Sequence, residues 1–149
     1  MRATLLFVER GEEVLLIHKK RGLGAGKVNA PGGKIDPGET PVQAAIREVQ
    51  EEVGLQVSDP EEMGVLRFQF INGDRLALHC TVFRSKHFTG EPYATPEADP
   101  FWCRIDAVPY DKMWEDDHHW LPGMLDGQRF DADFIFDDEA MLWKDLRWR

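Results

Sequence analysis

The sequence is poor in cysteine, in basic charge and in long apolar runs, and each shortage excludes a class of protein. Cys80 and Cys103 are the two cysteines in 149 residues. Both lie among apolar neighbours without metal-type spacing. A disulfide scaffold is therefore excluded, and buried free thiols in a reducing cytosol are expected. The earliest apolar run, Leu5 to Val8, ends at Glu9 and is too short for a signal-peptide core or a membrane span. A cytoplasmic protein with no membrane partner is the expectation. Basic residues number 18 against 27 acidic ones, a formal charge of −9. Duplex nucleic acid is bound by neutralising phosphates with a basic footprint, so no duplex partner is expected. A polyanion stays within reach of such a chain only where divalent cations sit between the two.

What is present is globular material. Hydrophobic residues make up 42% and charged residues 30%, and 5 Trp with 9 Phe supply more apolar area than a disordered chain carries. One domain spanning residues 1–149 is expected, as a monomer, because two domains would leave each half short of a core. Arg2 to Glu9 reads as a strand, Arg10-Gly11-Glu12 as a turn and Val14 to His18 as the returning strand. Lys19 to Ala30 reads as a loop carrying Gly22, Gly24 and Gly26, and Asp36-Pro37-Gly38 as a turn. Val65 to Ile71 alternates and runs into Asn72-Gly73, a hairpin signal, before a strand from Arg75 to Arg84. Phe101 to Ile105, Phe130 to Phe136 and Met141 to Trp148 read as further strands. Asp116 to Leu125 reads as a helix whose regular length Pro122 limits. Mixed strands around one strong helix define an α/β (α+β) layered domain.

That strong helix has both ends marked. Thr40 serves as N-cap, Pro41 fits the first helical position, Gln43 completes a capping box, and Gly54 supplies the stop. Val42, Ala45, Ile46, Val49 and Val53 recur at helical spacing as one apolar stripe. At about 100° per residue, Glu48, Glu51 and Glu52 fall within roughly one quadrant beside that stripe. Like charges so placed cost an isolated helix a few tenths of a kcal/mol for each pair, about 0.2–0.5. A solvated acidic face is one reading. The other is that carboxylates bordering a buried face, just after a Gly32-Gly33 loop whose backbone can approach a ligand closely, are ligands for a hard cation. Mg²⁺ or Mn²⁺, bound at about 2.1 Å, fits that chemistry.

Gly33, Glu39, Arg47, Glu48, Val49, Glu51, Glu52, Gly54 and Leu55, at these spacings, resemble the signature of the Nudix hydrolases at every defined position. The resemblance implies a Nudix fold, a mixed β-sheet sandwiched between α-helices. It also implies hydrolysis of a nucleoside diphosphate linked to another moiety, with Mg²⁺ as cofactor. Glu48, Glu51, Glu52 and the Gly33 carbonyl would hold the metal. Arg47, paired with Glu39, would orient the glutamates, and Gly54 would serve the motif structurally; an ordinary surface pair of Arg47 with Glu51 is the plainer alternative. Bound metal would neutralise phosphate oxygens and activate a water for in-line attack. Glu52 or Glu97 would take its proton. Glu97, in the loop Ala94 to Asp99, reads either as that base, as an added metal ligand, or as an exposed loop acid.

The flanks are similar to the animal MutT-type branch of the same superfamily, in Arg21 to Asn29 and in Pro109 to Trp120. This similarity implies hydrolysis of oxidised purine nucleoside triphosphates such as 8-oxo-dGTP or 2-hydroxy-dATP to monophosphate and pyrophosphate, which sanitises the nucleotide pool. Asn29, Asp116 and Asp117 would hydrogen-bond the purine, Phe68 and Trp114 would wall its faces, and Thr4 and Lys19 would line the rim. Two close carboxylates seldom both ionise, so one can donate while the other accepts. Plainer roles exist for each: Asp116 as a helix cap, Asn29 as a turn residue, Phe68 and Trp114 as core. Leu23, Val28, Ala30-Pro31 and Ala98 stand where that branch has other residues, aromatic or larger at Leu23, Val28 and Ala98, which suggests a wider pocket. Two other readings accompany this one: hydrolysis of another nucleotide (a dinucleoside polyphosphate, nucleotide sugar or methylated purine nucleotide), and a non-catalytic Nudix-like binding module.

Overall fold

The computed structural model describes residues 1–73 and 75–149. Strand β1 (Arg2–Arg10) turns at Gly11 and returns as β2 (Glu13–Lys19), with Arg10 opposite Glu13. Short strands β3 (Val28–Asn29) and β4 (Gly32–Lys34) lead into helix α1 (Pro41–Val53). Then follow β5 (Gln56–Ser58), β6 (Glu61–Phe70), β7 (Ala77–Ser85), β8 (His87–Thr89) and β9 (Ala98–Arg104). Two 3-10 turns, Ile105–Ala107 and Tyr110–Lys112, precede α2 (Asp117–Leu125), β10 (Phe130–Asp137) and β11 (Ala140–Trp148).

The main sheet runs β11-β10-β6-β7-β1-β2-β3, with β4 added to β1 and β9 to β2. The β1/β7 and β6/β10 pairs are parallel and the other neighbours antiparallel, so the sheet is mixed. Alternation along the strands divides the core in two. Phe7, Val14 and Leu16 face one side, where they meet Trp120, Leu121 and Met124 of α2. Leu6, Val8, Leu15 and Ile17 face the other, where they meet Ala45, Val49 and Val53 of α1. The result is the α+β arrangement expected, a mixed sheet between two helices. Among the described residues, no helix is long and apolar enough to cross a membrane.

The chemistry that starts α1 is all in place. Thr40 Oγ1 accepts from the Gln43 amide at 3.2 Å, the Gln43 side chain accepts from the Thr40 amide at 2.9 Å, and Gly54 ends the helix at φ 79°. Its buried face is rotated from the expected stripe. Val42 is exposed and Ile46 only partly buried, whereas Ala44 and Glu52 lie inside. Two adjacent alanines let the helix sit close on the sheet, and that turns Val42 outward.

Other boundaries shift for local reasons. The strand β6 begins at Glu61, four residues before the expected Val65, and β7 begins at Ala77 rather than Arg75. The connection is thus longer than a two-residue turn, and its Asp74 lies outside the described residues. Ile105 leaves β9 to open a 3-10 turn. Pro122 sits inside α2, where the carbonyl left without a donor belongs to the exposed residue His118. Both cysteines are free and buried, as expected.

Candidate active site

Local folding gathers one end of the site around Arg47. Its Nε and Nη2 donate to the two oxygens of Glu39 at 2.6 and 2.9 Å, a bidentate pair. Its Nη1 donates to Glu48 at 3.0 Å and Glu51 at 3.2 Å, and Nη2 also reaches the Lys34 carbonyl at 3.0 Å. The guanidinium therefore ties the helix to the β4 segment and the Glu39 turn, well beyond a surface pair with Glu51. Hydrogen bonding from Arg47 holds the Glu39 carboxyl below its ordinary range. Glu48 moves the opposite way, because burial outweighs the same arginine.

Glu52 lies one turn beyond Glu48 and is 8% exposed. Burial, and then the charge of Glu48, push its carboxyl up to about 8. Gly33 shows why that loop takes glycine: a Cβ there would stand 2.4 Å from the Glu48 carboxyl carbon, inside the cradle that the carboxylate occupies. The pairing of Gly33 with Thr4 of β1 fixes this backbone against the sheet. Glu51 instead turns outward, with 58% of its side chain exposed.

The other end is a cleft of about 740 Å³ including its open mouth. It brings together Thr4, Lys19, Asn29, Gly33, Glu52, Phe68, Trp114, Asp116 and Asp117. Arg47, Glu39, Glu48, Glu51, Gly54 and Glu97 do not line it. The wall is aromatic: Phe68 stacks on Phe134 at 5.5 Å, and Trp114 meets Phe70 and Phe136 edge-on at 5.9 and 5.6 Å. Asn29 Oδ1 accepts from the Ala30 amide at 2.9 Å, a local turn bond that engages its oxygen.

Asp116 and Asp117 are 1% and 5% exposed. Asp116 occupies the position before α2 but makes no capping bond; its Oδ2 accepts from Trp120 Nε1 at 2.8 Å. Among the described residues, Asp116 Oδ1, Asp117 Oδ2 and Thr4 Oγ1 are buried without a partner. Burial raises both carboxyls, and the charge of Asp116 raises Asp117 further, well above the usual carboxylate range. Of the two, Asp117 is the carboxyl driven harder toward its neutral form. A carboxyl pressed toward its neutral form can donate while its neighbour accepts, which is hydrogen-bonding character suited to a flat heterocycle.

Glu97 stands apart, half exposed and paired with Arg21 Nη2 at 2.6 Å. Its loop is anchored to α1 by Thr95, whose hydroxyl donates to the Glu52 carbonyl at 2.7 Å. Trp120, Phe70 and Cys80 also belong to this region, and sequence reading alone assigns none of them a role in the site. Trp120 lies four residues beyond Asp116, a helical spacing that could have shown the contact; Phe70 and Cys80 arrive through sheet register, which carries no local signal.

A glutamate helix following a glycine loop, set on this mixed sheet, defines a class, and the NUDIX domain family matches residues 1–124. The chain belongs to the Nudix family. It is 44% identical over 139 residues to the oxidized purine nucleoside triphosphate hydrolase of Danio rerio, covering 93% of this chain and 88% of that protein. The protein of the same name from Mus musculus is 38% identical over equal spans. Among solved structures, the mutator MutT protein from Bacillus halodurans superposes with a TM-score of 0.85 at 26% identity, covering 97% of this chain and 96% of that one.

Nudix hydrolases generally use a divalent metal. Among the described residues, no three Asp, Glu, His or Cys side chains already converge on one point. The chemistry of the donors nevertheless fits a cation. Glu52 is buried and Glu48 partly so, the charge of Glu48 raises the affinity of Glu52 for a proton, and both border a carbonyl-bearing glycine backbone. A hard divalent ion relieves that repulsion with oxygen ligands.

Proposed function

We propose that the chain hydrolyses oxidised purine nucleoside triphosphates, such as 8-oxo-dGTP and 2-hydroxy-dATP, to the monophosphate and pyrophosphate, using Mg²⁺. One observation carries the reading: adjacent buried carboxylates, each with an unpartnered oxygen, face an aromatic cleft that ends at the glutamate helix. Asp116 and Asp117 read the purine edge as acceptor and donor, while Phe68 and Trp114 stack on its faces. Asn29 offers its amide nitrogen, and Thr4 and Lys19 border the rim. Glu48, Glu51 and Glu52, with the Gly33 carbonyl, hold Mg²⁺, and Mn²⁺ is the alternative ion. When bound, the metal supplies charge neutralisation for the phosphates and a more acidic water. Arg47 keeps Glu48 and Glu51 oriented through Glu39. Glu52, buried where the cleft meets the helix, takes the proton of the attacking water, and Glu97 lies further out.

The test is kcat/KM with Mg²⁺ for 8-oxo-dGTP, 2-hydroxy-dATP, dGTP and dATP, with products identified. A preference of about tenfold or more for an oxidised form, with pyrophosphate released, is expected; that is one hydrogen bond's worth of discrimination. Equal or negligible rates on all four sink the substrate assignment. Leu23 favours a second reading, because it lines the cleft yet is 44% exposed and leaves that rim open. A dinucleoside polyphosphate, nucleotide sugar or methylated purine nucleotide would then be the better substrate, and the same assay extended to these compounds decides.

A further inference from the structure

Trp114 owes its place to two chain segments far from it in sequence. The first is the glycine loop before β3. Gly24, at φ 82°, lies so near that a Cβ would stand 2.7 Å from the Trp114 Nε1. Lys27 ends the same loop and carries its ammonium 5.3 Å from the Trp114 ring centre. The second segment is the turn between β10 and β11. Glu139 in that turn pairs with Lys27 Nζ at 2.5 Å, and the Met141 amide just beyond it donates to Glu115 at 2.6 Å. The hairpin turn is thereby bonded on both flanks of the indole: to the glycine loop through Glu139, and to the residue after Trp114 through Met141.

We propose that Lys27 and Glu139 are positioning residues for the base-binding wall, closing a clasp that fixes Trp114 for stacking. The proposal rests on the nucleotide reading above for its effect on substrate, but the clasp itself has a readout that needs no substrate. The Lys27 ammonium lies over a ring face, where a cation is attracted to the π system. Its counter-ion, Glu139, has 69% of its side chain exposed, so the pair is open to screening by salt. Neither Lys27 nor Glu139 lines the cleft, so the clasp acts through Trp114 on base binding and leaves the chemical step alone.

The test combines kinetics with fluorine NMR on protein labelled with 5-fluorotryptophan, the Trp114 resonance being assigned by its loss in Trp114→Phe. Lys27→Met and Glu139→Gln are each expected to raise KM for the preferred nucleotide about two- to fivefold, the range of exposed pairs, with kcat unchanged. The Trp114 resonance should shift or broaden in both variants, and in the parent protein at high salt. Lys27→Arg should retain parent values, and the charge-reversed pair Lys27→Glu with Glu139→Lys should recover part of the loss. An unchanged Trp114 resonance in Lys27→Met overturns the clasp, whatever the substrate proves to be. A shifted resonance with unchanged KM overturns the positioning role while leaving the contact. A parent protein without turnover on any nucleotide overturns the functional reading and leaves the NMR arm to judge the contact.

Discussion

The two ends of the site each withdraw a pair of carboxylates from water, the glutamates in part and the aspartates almost fully, and they lower the cost differently. Glu48 and Glu52 lie four residues apart on α1, with Arg47 beside one of them and a glycine backbone in front. Asp116 and Asp117 are sequence neighbours that share the cleft with Phe68, Phe70 and Trp114, and Asp116 accepts from the neutral Trp120 indole. The glutamate end borders a guanidinium and has donors suited to a metal ion, so it is built to be neutralised by cations. Among the described residues the aspartate end has no cation in contact, and burial presses it toward holding a proton instead. Removing an ion from water is costly enough that one of these two solutions is required. The same residue chemistry thus yields one end suited to a cation and another suited to a shared proton.

The sharpest way to separate the ends is to remove a charge at the first. Glu52→Gln is expected to lower turnover with Mg²⁺ by about 10²- to 10⁴-fold, the range of a lost general base, on every nucleotide alike. Substrate ranking should be unchanged, because the aspartate pair is untouched. Turnover within tenfold of the parent, measured with a fold check by thermal melting, would remove Glu52 from the chemistry. It would also revive the non-catalytic reading if the parent itself proved inactive.

A second, smaller effect lies in stability against pH without metal. Folded Glu52 keeps its proton up to about 8, whereas an unfolded chain releases it near 4.5. Between those values the unfolded state binds fewer protons, so stability falls as pH rises. The contribution is fully present below 4.5 and lost by about 8, and Asp117 adds in the same direction. The total is on the order of a few kcal/mol. Urea unfolding at pH 5, 6.5 and 8 with chelator should show the fall, Glu52→Gln should flatten it, and Mg²⁺ should offset it at high pH. Stability that climbs across this window would contradict the buried, protonated state.

The aspartate end responds to a different substitution. Asp116→Ala leaves the buried Trp120 Nε1 without its acceptor and should cost about 1–3 kcal/mol of stability. Asp117→Asn imitates the protonated group and should fold normally. It should instead lower kcat/KM for the oxidised purine by about 10- to 100-fold and change the ranking of nucleotides, which Glu52→Gln does not. A uniform loss across all nucleotides would mean that the pair has no part in reading the base.

How much of each end was legible follows from how local it is. The glutamate end lies within one loop and one helix. Capping residues, helical spacing and a glycine pair announce it, and the structure gathers Glu39, Arg47, Glu48 and Glu51 into one hydrogen-bonded group. Its one surprise is the depth of Glu52, which the apolar stripe did not foretell because Ala44 replaced Val42 in the contact. The base end draws on β1, β3, β6, the segment before α2 and the last hairpin, so spacing alone says nothing of it. Only likeness to relatives put Asn29, Phe68, Trp114 and the two aspartates on one list. The Trp120 contact was available from helical spacing, whereas the Lys27 and Glu139 pair joins residues that only the folded sheet brings together.

The smallest expected effect concerns Glu97, which tests whether the charged end extends beyond the helix. Its carboxylate already engages Arg21 at 2.6 Å and leaves 46% of the side chain exposed. An acid so placed stays in contact with water, and its removal leaves no buried group unpartnered among the described residues. The loop holding it is kept on α1 by Thr95, through the Glu52 carbonyl, so the fold does not depend on the carboxylate. Glu97→Gln should therefore lower turnover by less than about fivefold, within what a weak exposed pair supplies. Its pH–rate profile should follow the parent's, while any residual activity of Glu52→Gln should lose the limb that Glu52 controls. If Glu97→Gln instead matches the loss in Glu52→Gln, the loop from Ala94 to Asp99 supplies the base, and the charged end has to be extended beyond the helix to Glu97.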